Sequence, residues 1–237
     1  MKIGGLQKLT LIDYPNTIAC TVFLTGCNFR CPWCYAPSLV LPERIKVMED
    51  MGEDNFFDFL DKRKGKLEGV VVCGGEPTIN SGIFGFIKKI KEKGFLVKMD
   101  TNGSQSDVIK ELIEKEFIDY IAMDIKTSFK EEKGKKKYDI VTGVDTNIDE
   151  IKESKDIILK GKIDYEFRTT VVSGIHTIKD IEEIAQDIKG AEKYFLQNFY
   201  PQDIININQY SFEPFSKEEL EEFKNTAQKF VKNCQIR

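Results

Sequence analysis

The 237-residue chain has a single histidine, His176. That speaks against His-rich metal sites and against triad hydrolases, whose chemistry needs an imidazole at the reacting atoms. No run of about 18 apolar residues is present, so no segment reads as a membrane-crossing helix. Met1 to Leu9 lacks the apolar core of a signal peptide, which predicts a cytoplasmic protein whose thiols stay reduced. A surplus of one charge sign is missing too. Lys and Arg number 35 and Asp and Glu 39, so the net charge is −4. That balance favours neither nucleic acid nor a membrane surface as partner. There is no internal repeat and no Pro/Ser-rich linker. With 41% hydrophobic and 31% charged residues, the chain reads as one globular domain over 1–237, able to bury a core without disulfides. Six cysteines in such a chain are metal ligands or buried apolar residues rather than bridges.

Strand-like and helix-like stretches alternate. Strands are expected over Thr17–Leu24, Gly69–Cys73, Phe95–Asp100, Ile118–Ile125, Tyr165–Val172 and Tyr194–Phe199. Helices are expected over Glu43–Asp61, Ile83–Lys93, Asp107–Glu116, Ile148–Lys155 or slightly beyond, Ile178–Lys189 and Lys217–Lys232. Six strand–helix pairs argue for a parallel α/β sheet or barrel. Leu6–Ile12 is expected to pair with the first strand through a turn at Tyr14-Pro15-Asn16, as an N-terminal hairpin. Lys130 to Lys137 holds five lysines and two glutamates. It reads first as a solvated loop, and second as a docking surface for an acidic partner.

Cys27, Cys31 and Cys34 form Cys-x₃-Cys-x₂-Cys directly after the first strand. A zinc site usually has four protein ligands, and no further Cys or His is nearby. A 4Fe–4S cluster normally takes four cysteines, so three leave one iron open to another ligand. A zinc knuckle with a distant ligand, or three buried cysteines, remain alternatives at this point. Cys20 and Cys73 sit in apolar strands and read as core residues; Cys234 carries no argument.

Strand parity groups further polar residues. Lys98, Asp100 and Asn102 share one face of their strand, Ala122, Asp124 and Lys126 one face of the next, and Glu166, Arg168 and Thr170 one face of another. Gln197 falls with Phe195 and Phe199. Charged groups turned inward at the C-terminal ends of barrel strands mark the rim where such folds place ligands. Val70–Cys73 runs into Gly74-Gly75-Glu76-Pro77, where glycines let backbone approach a ligand and exposed carbonyls can hold an ammonium group.

The cysteine spacing, with the aromatic Trp33 before the last cysteine, resembles that of the radical S-adenosylmethionine (SAM) enzymes. The resemblance implies a partial (β/α)6 barrel with a short N-terminal β-hairpin extension. It implies one 4Fe–4S cluster on Cys27, Cys31 and Cys34, with SAM on its open iron. Gly74, Gly75 and Glu76 match the Gly-Gly-Glu-Pro motif associated with the SAM amino group. Asp100-Thr101-Asn102-Gly103 and Met123-Asp124-Ile125-Lys126 resemble strand ends of glycyl-radical-enzyme activases. By that likeness Asp100, Thr101, Asp124 and the Ala122 carbonyl hold a monovalent cation, Lys126 touches the SAM carboxylate, and Arg168 and Gln197 lie toward the nucleoside.

Leu11-Ile12-Asp13-Tyr14-Pro15 and the Phe23–Cys31 segment resemble the anaerobic ribonucleoside-triphosphate reductase activating proteins in particular, and the likeness runs from Gly5 to about Pro201. It implies reductive cleavage of SAM to a 5′-deoxyadenosyl radical, with no protein acid or base. An external donor such as flavodoxin or ferredoxin supplies the electron, and the radical takes hydrogen from a glycine of a partner glycyl radical enzyme. Tyr35-Ala36-Pro37 departs from the His-Asn-Pro of many relatives, and Gln197-Asn198-Phe199-Tyr200-Pro201 from their Gln-Phe-Arg-Pro run, so the substrate protein stays open. No cysteine-rich insertion separates Cys34 from Gly74. The alternatives are a radical SAM enzyme acting on a small molecule, of the 7-carboxy-7-deazaguanine synthase kind, and a non-catalytic zinc-binding interaction protein.

Overall fold

The computed structural model describes residues 1–132, 135–201, 203–205 and 212–237, with backbone alone for 131, 132 and 135. The N-terminal hairpin is there: β1 (Ile3–Thr10) lies antiparallel to β2 (Ala19–Leu24). It begins and ends earlier than Leu6–Ile12. Thr10 Oγ1 accepts the N–H groups of Ile12 (3.3 Å) and Asp13 (3.1 Å), which turns the chain out of the ladder. Asn16 at φ 57° completes the expected turn.

Glu43–Asp61 is not one helix. Short α1 (Pro37–Val40) and α2 (Pro42–Val47) precede α3 (Glu53–Asp61), with a break between α2 and α3. Gly52 sits at φ 75°, and the Asp50 carboxylate accepts the N–H groups of Gly52 and Ile3, each at 3.0 Å. The break fastens this connection to β1, a tertiary tie that helical periodicity does not reveal.

The remaining elements follow the expected alternation. They are β3 (Gly69–Gly74), α4 (Ile83–Glu92), β4 (Leu96–Thr101), α5 (Ser106–Glu114) and β5 (Tyr120–Asp124). A two-residue hairpin β6 (Glu131–Glu132) and β7 (Lys135–Lys136) leads to α6 (Lys137–Thr142), α7 (Ile148–Leu159) and β8 (Asp164–Val171). Then come α8 (Ile178–Asp187), β9 (Tyr194–Asn198), α9 (Lys217–Ala227) and β10 (Cys234–Ile236). Helix α9 stops five residues before Lys232. The chain turns back there, and β10 pairs parallel with β9, an edge strand too short to leave a period. Cys234 is thereby 2% exposed, a core residue of that strand.

One eight-stranded sheet has the order β1-β2-β3-β4-β5-β8-β9-β10. From β2 to β10 the pairs are parallel. Its two edges curl toward each other without pairing, since Ile12 and Asp13 beyond β1 line the same cavity as Gln197 and Arg237 beside the other edge. The result is a partial barrel with an open seam. Alternation splits each strand. Val70, Val72, Val97, Met99, Ile121 and Met123 are fully buried on the face that meets the helices. Each such side chain contributes roughly 1.5–3 kcal/mol. The opposite residues line the barrel.

In the Lys130–Lys137 stretch, 133 and 134 lie outside the described residues. Lys130 pairs with Glu183 (3.3 Å), Lys136 with Asp145 (3.5 Å) and Lys137 with Asp180 (2.6 Å). These three ammonium groups are paired with the chain's own carboxylates.

Candidate functional site

Residues 25–36 loop over the C-terminal end of β2, and the loop is fastened on several sides. Gly26 N–H donates to Leu39 O (2.7 Å), Arg30 N–H to Thr142 O (2.7 Å) and Ile205 N–H to Cys34 O (3.2 Å). Arg30 Nη1 donates to the carbonyls of Cys27 (2.6 Å) and Phe29 (2.7 Å). Trp33, 3% exposed, sets its ring edge-on to His176 and Phe212. Cys27, Cys31 and Cys34 line one cavity of about 480 Å³.

The end of β3 explains the glycine pair. A Cβ on Gly75 would stand 1.9 Å from Gly26 O, and one on Gly74, at φ 124°, 2.2 Å from Leu24 O. Gly75 N–H donates to Leu24 O (2.9 Å) and Glu76 N–H to Gly26 O (2.7 Å). Only glycine lets β3 press this closely against the root of the cysteine loop. Both glycines border the cavity.

Glu76 does not. Its carboxylate is 1% exposed and accepts Thr78 N–H (3.1 Å), Thr78 Oγ1 (2.6 Å), Thr101 Oγ1 (2.8 Å) and Asn102 N–H (2.6 Å). Burial raises its pKa, and these four donors restrain the rise. The side chain expected at the cofactor is instead the brace between the ends of β3 and β4. Thr101 does border the cavity, and its hydroxyl also serves Glu76 (2.8 Å) and accepts Gly103 N–H (3.1 Å). Asn102 Nδ2 donates to Asn28 Oδ1 (3.0 Å) and comes within 4.0 Å of Cys27 Sγ.

The inward charges stand where strand parity places them, but they bind one another. Arg168 donates through Nη1 to Asp100 Oδ2 and through Nε to Asp124 Oδ1, both at 2.8 Å. Lys98 pairs with Asp100 (2.5 Å) and Lys126 with Asp124 (2.9 Å). Burial alone would raise the Asp124 carboxyl, but Arg168 and Lys126 hold it down to about 2. Asp100 is likewise lowered against its burial, by Arg168 and Lys98. Glu166, fully buried, accepts Tyr120 OH (3.0 Å) and Arg237 (2.9 and 3.2 Å). Arg168 and Lys126 both border the cavity, with Arg168 standing between the aspartates and Lys126 paired to Asp124. One expectation changes: the monovalent cation implied by resemblance does not fit, because a guanidinium already joins the two carboxylates.

Several residues escaped the sequence reading. Cys73 lines the cavity with Val71 on the inward face of β3, and parity with Val71 was the available signal. Asp13, Thr21, Phe23 and the half-exposed Tyr35 also border it. Lys126 is gripped by its backbone: its N–H donates to Tyr138 OH (3.0 Å) and its C=O lies 2.9 Å from His176 Nε2. His176 Nδ1 accepts Val172 N–H (3.1 Å), which assigns the ring proton to Nε2.

The donor set suits a cluster. Burial pushes the thiols of Cys27 and Cys31 up to about 11 and about 12 and raises Cys34; Lys126 pulls each back. Metal binding displaces those protons. Phe29 N–H, donated to Cys27 Sγ at 3.3 Å, is placed for a thiolate. Among the described residues no three His, Cys, Asp or Glu side chains gather as the shell of a single metal ion. A polynuclear cluster instead spreads its thiolates over separate irons.

The radical SAM superfamily profile matches residues 21–188. A Methanocaldococcus jannaschii protein provisionally named as a glycyl-radical enzyme activating enzyme is 35% identical, over 99% of this chain and 95% of its own length. A second M. jannaschii protein of the same provisional name is 25% identical over 97% and 84%. Among solved structures, SuiB of Streptococcus suis bound to S-adenosylmethionine superposes with a TM-score of 0.61 at 14% identity, over 92% of this chain and 51% of that one. At that identity the likeness is one of fold.

Proposed function

Because the chain belongs to the radical SAM superfamily, we propose that it is an activating enzyme that installs the radical of a partner glycyl radical enzyme, a class that includes anaerobic ribonucleoside-triphosphate reductase. The observation that carries this reading is the 35% identity spanning 95% of an activating-enzyme relative. When bound, the cluster and SAM would supply the chemistry: with an electron from an external flavodoxin- or ferredoxin-type donor, reductive cleavage of SAM would yield methionine and the radical that removes hydrogen from a glycine α-carbon.

The chain's own residues hold and shield. Cys27, Cys31 and Cys34 are the thiolate ligands. The Gly74–Gly75 backbone borders the cavity where the SAM amino group would sit. Lys126 Nζ stands at the edge of the charged floor, placed to receive the SAM carboxylate. A cavity of about 480 Å³ has room for one such ligand. Trp33 and Phe212 close the cluster loop against water. The partner's glycine must be brought to this cavity. The seam, with Ile12 80% exposed beside it, gives an extended segment a way in.

The test is anaerobic. Protein reconstituted with iron and sulfide is mixed with SAM, a chemical reductant and a co-expressed glycyl radical enzyme, and read by electron paramagnetic resonance. A glycyl doublet on the partner is the expected result. SAM cleavage with no doublet on any such partner would move the assignment to small-molecule substrates.

A further inference from the structure

We propose that Arg168 is the built-in counter-ion of the Asp100–Asp124 pair, so that this chain binds SAM without help from an alkali-metal ion. The inference rests on the reading that the cavity takes SAM. Its basis is the floor of the barrel.

Two inward carboxylates on neighbouring strands repel unless a cation lies between them. Here the cation is covalently part of β8. The guanidinium is a rigid fork, and it reaches one oxygen of Asp100 and one of Asp124 with equal 2.8 Å bonds. The other oxygen of each aspartate is held by a lysine, Lys98 or Lys126. Charge therefore alternates across three strands as Lys98, Asp100, Arg168, Asp124, Lys126, three positive and two negative. Thr101, the remaining side-chain oxygen of the implied cation site, is bonded to Glu76 and Gly103. Glu166, two residues before Arg168 on the same face, is matched by Arg237 and Tyr120 and does not draw the fork away. No buried side-chain nitrogen or oxygen among the described residues lacks a partner.

An alkali ion entering this rung would raise its charge from +1 to +2 and displace a bidentate donor. A carboxylate entering it would cancel the surplus. The one other cavity-lining carboxylate on this side, Asp13, belongs to the β1–β2 connection and accepts Thr21 Oγ1 (2.7 Å). The rung is thus set for an anion, at the end where Lys126 borders the cavity.

The experiment uses the cluster-loaded protein. SAM binding is measured by equilibrium dialysis in potassium, sodium and choline chloride at equal ionic strength, and sodium NMR relaxation is recorded on the same protein without SAM. The expected result is one Kd in all three salts, within about twofold, and no excess sodium relaxation. Arg168→Gln removes the fork and exposes the aspartate pair. In that variant sodium relaxation should rise, and SAM should bind about tenfold or more weakly in choline than in potassium. Wild-type binding that weakens about tenfold when choline replaces potassium overturns the proposal. So does excess sodium relaxation in the wild type, a result that needs no variant to fold. An Arg168→Gln protein indifferent to the salt overturns it as well. Absence of SAM binding in every salt counts against the functional reading, while sodium relaxation still decides the role of Arg168.

Discussion

His176 performs no acid–base step in the proposed chemistry, yet both its ring nitrogens are engaged, one with Val172 N–H and one with the Lys126 carbonyl. Burial lowers its pKa below the usual value of about 6.5. The folded ring therefore stays neutral where the unfolded chain takes up a proton. The contribution of this group to stability is fully present above about pH 6.5 and is lost progressively as pH falls from there toward the lowered folded value. Urea denaturation between about pH 7.5 and 5.5 should show that slope, and His176→Phe should remove it while costing about 2–4 kcal/mol at pH 7.5 for two unmatched backbone groups. An unchanged slope in the variant would assign the effect to other groups. Cys31 is the companion case at the cluster. Cys31→Ala removes one of three thiolates, so iron and sulfide content and SAM cleavage should all collapse in protein assembled anaerobically. Full retention of both would contradict the ligand assignment.

At the scale of elements, the meeting of β3 with the cysteine loop depends on atoms that are absent. Gly75→Ala puts a methyl 1.9 Å from the backbone oxygen of Gly26, which cannot swing aside as a side chain would, so the loop must shift. The expected outcome is loss of cluster retention and a stability decrease of about 3 kcal/mol or more, read by iron analysis and denaturation. Gly85→Ala is the control. It lies within α4 with open space around its Cβ, and it should stabilise by roughly 0.5–1 kcal/mol. A benign Gly75→Ala would mean that the close approach is not needed. The same elements show what a sequence discloses. Period-two alternation placed Lys98, Asp100, Asp124 and Arg168 on one face because pleating is local. Which of them bind each other is decided by strands far apart in the chain, as in the 68-residue span from Asp100 to Arg168. The break at Gly52 and the three residues of β10 were illegible for a related reason: each exists for a distant partner, Ile3 in one case and β9 in the other.

At the scale of the whole molecule, the sheet stops short of closure, and Arg237 beside the last strand completes the floor. It pairs with Glu166 and stacks 3.4 Å over the Phe195 ring centroid. Glu166 is fully buried and would keep only Tyr120 without it. Arg237→Met should cost about 2–3 kcal/mol, less than a fully buried pair because the arginine is partly exposed. Arg237→Met with Glu166→Gln should recover part of that loss in a double-mutant cycle. Additive effects would show that the two do not act together.

One feature of the cysteine loop has an optical consequence. The only tryptophan in the chain, Trp33, lies between two of the three cysteines, 3% exposed. Emission excited near the red edge of protein absorption therefore comes from one address. An iron–sulfur cluster, a broad absorber, would quench it by energy transfer at contact range. Titrating iron and sulfide into the anaerobic apoprotein should extinguish that emission in step with cluster assembly, and a Trp33→Phe protein should be dark throughout. The loop carries its own lamp, and the cofactor turns it off.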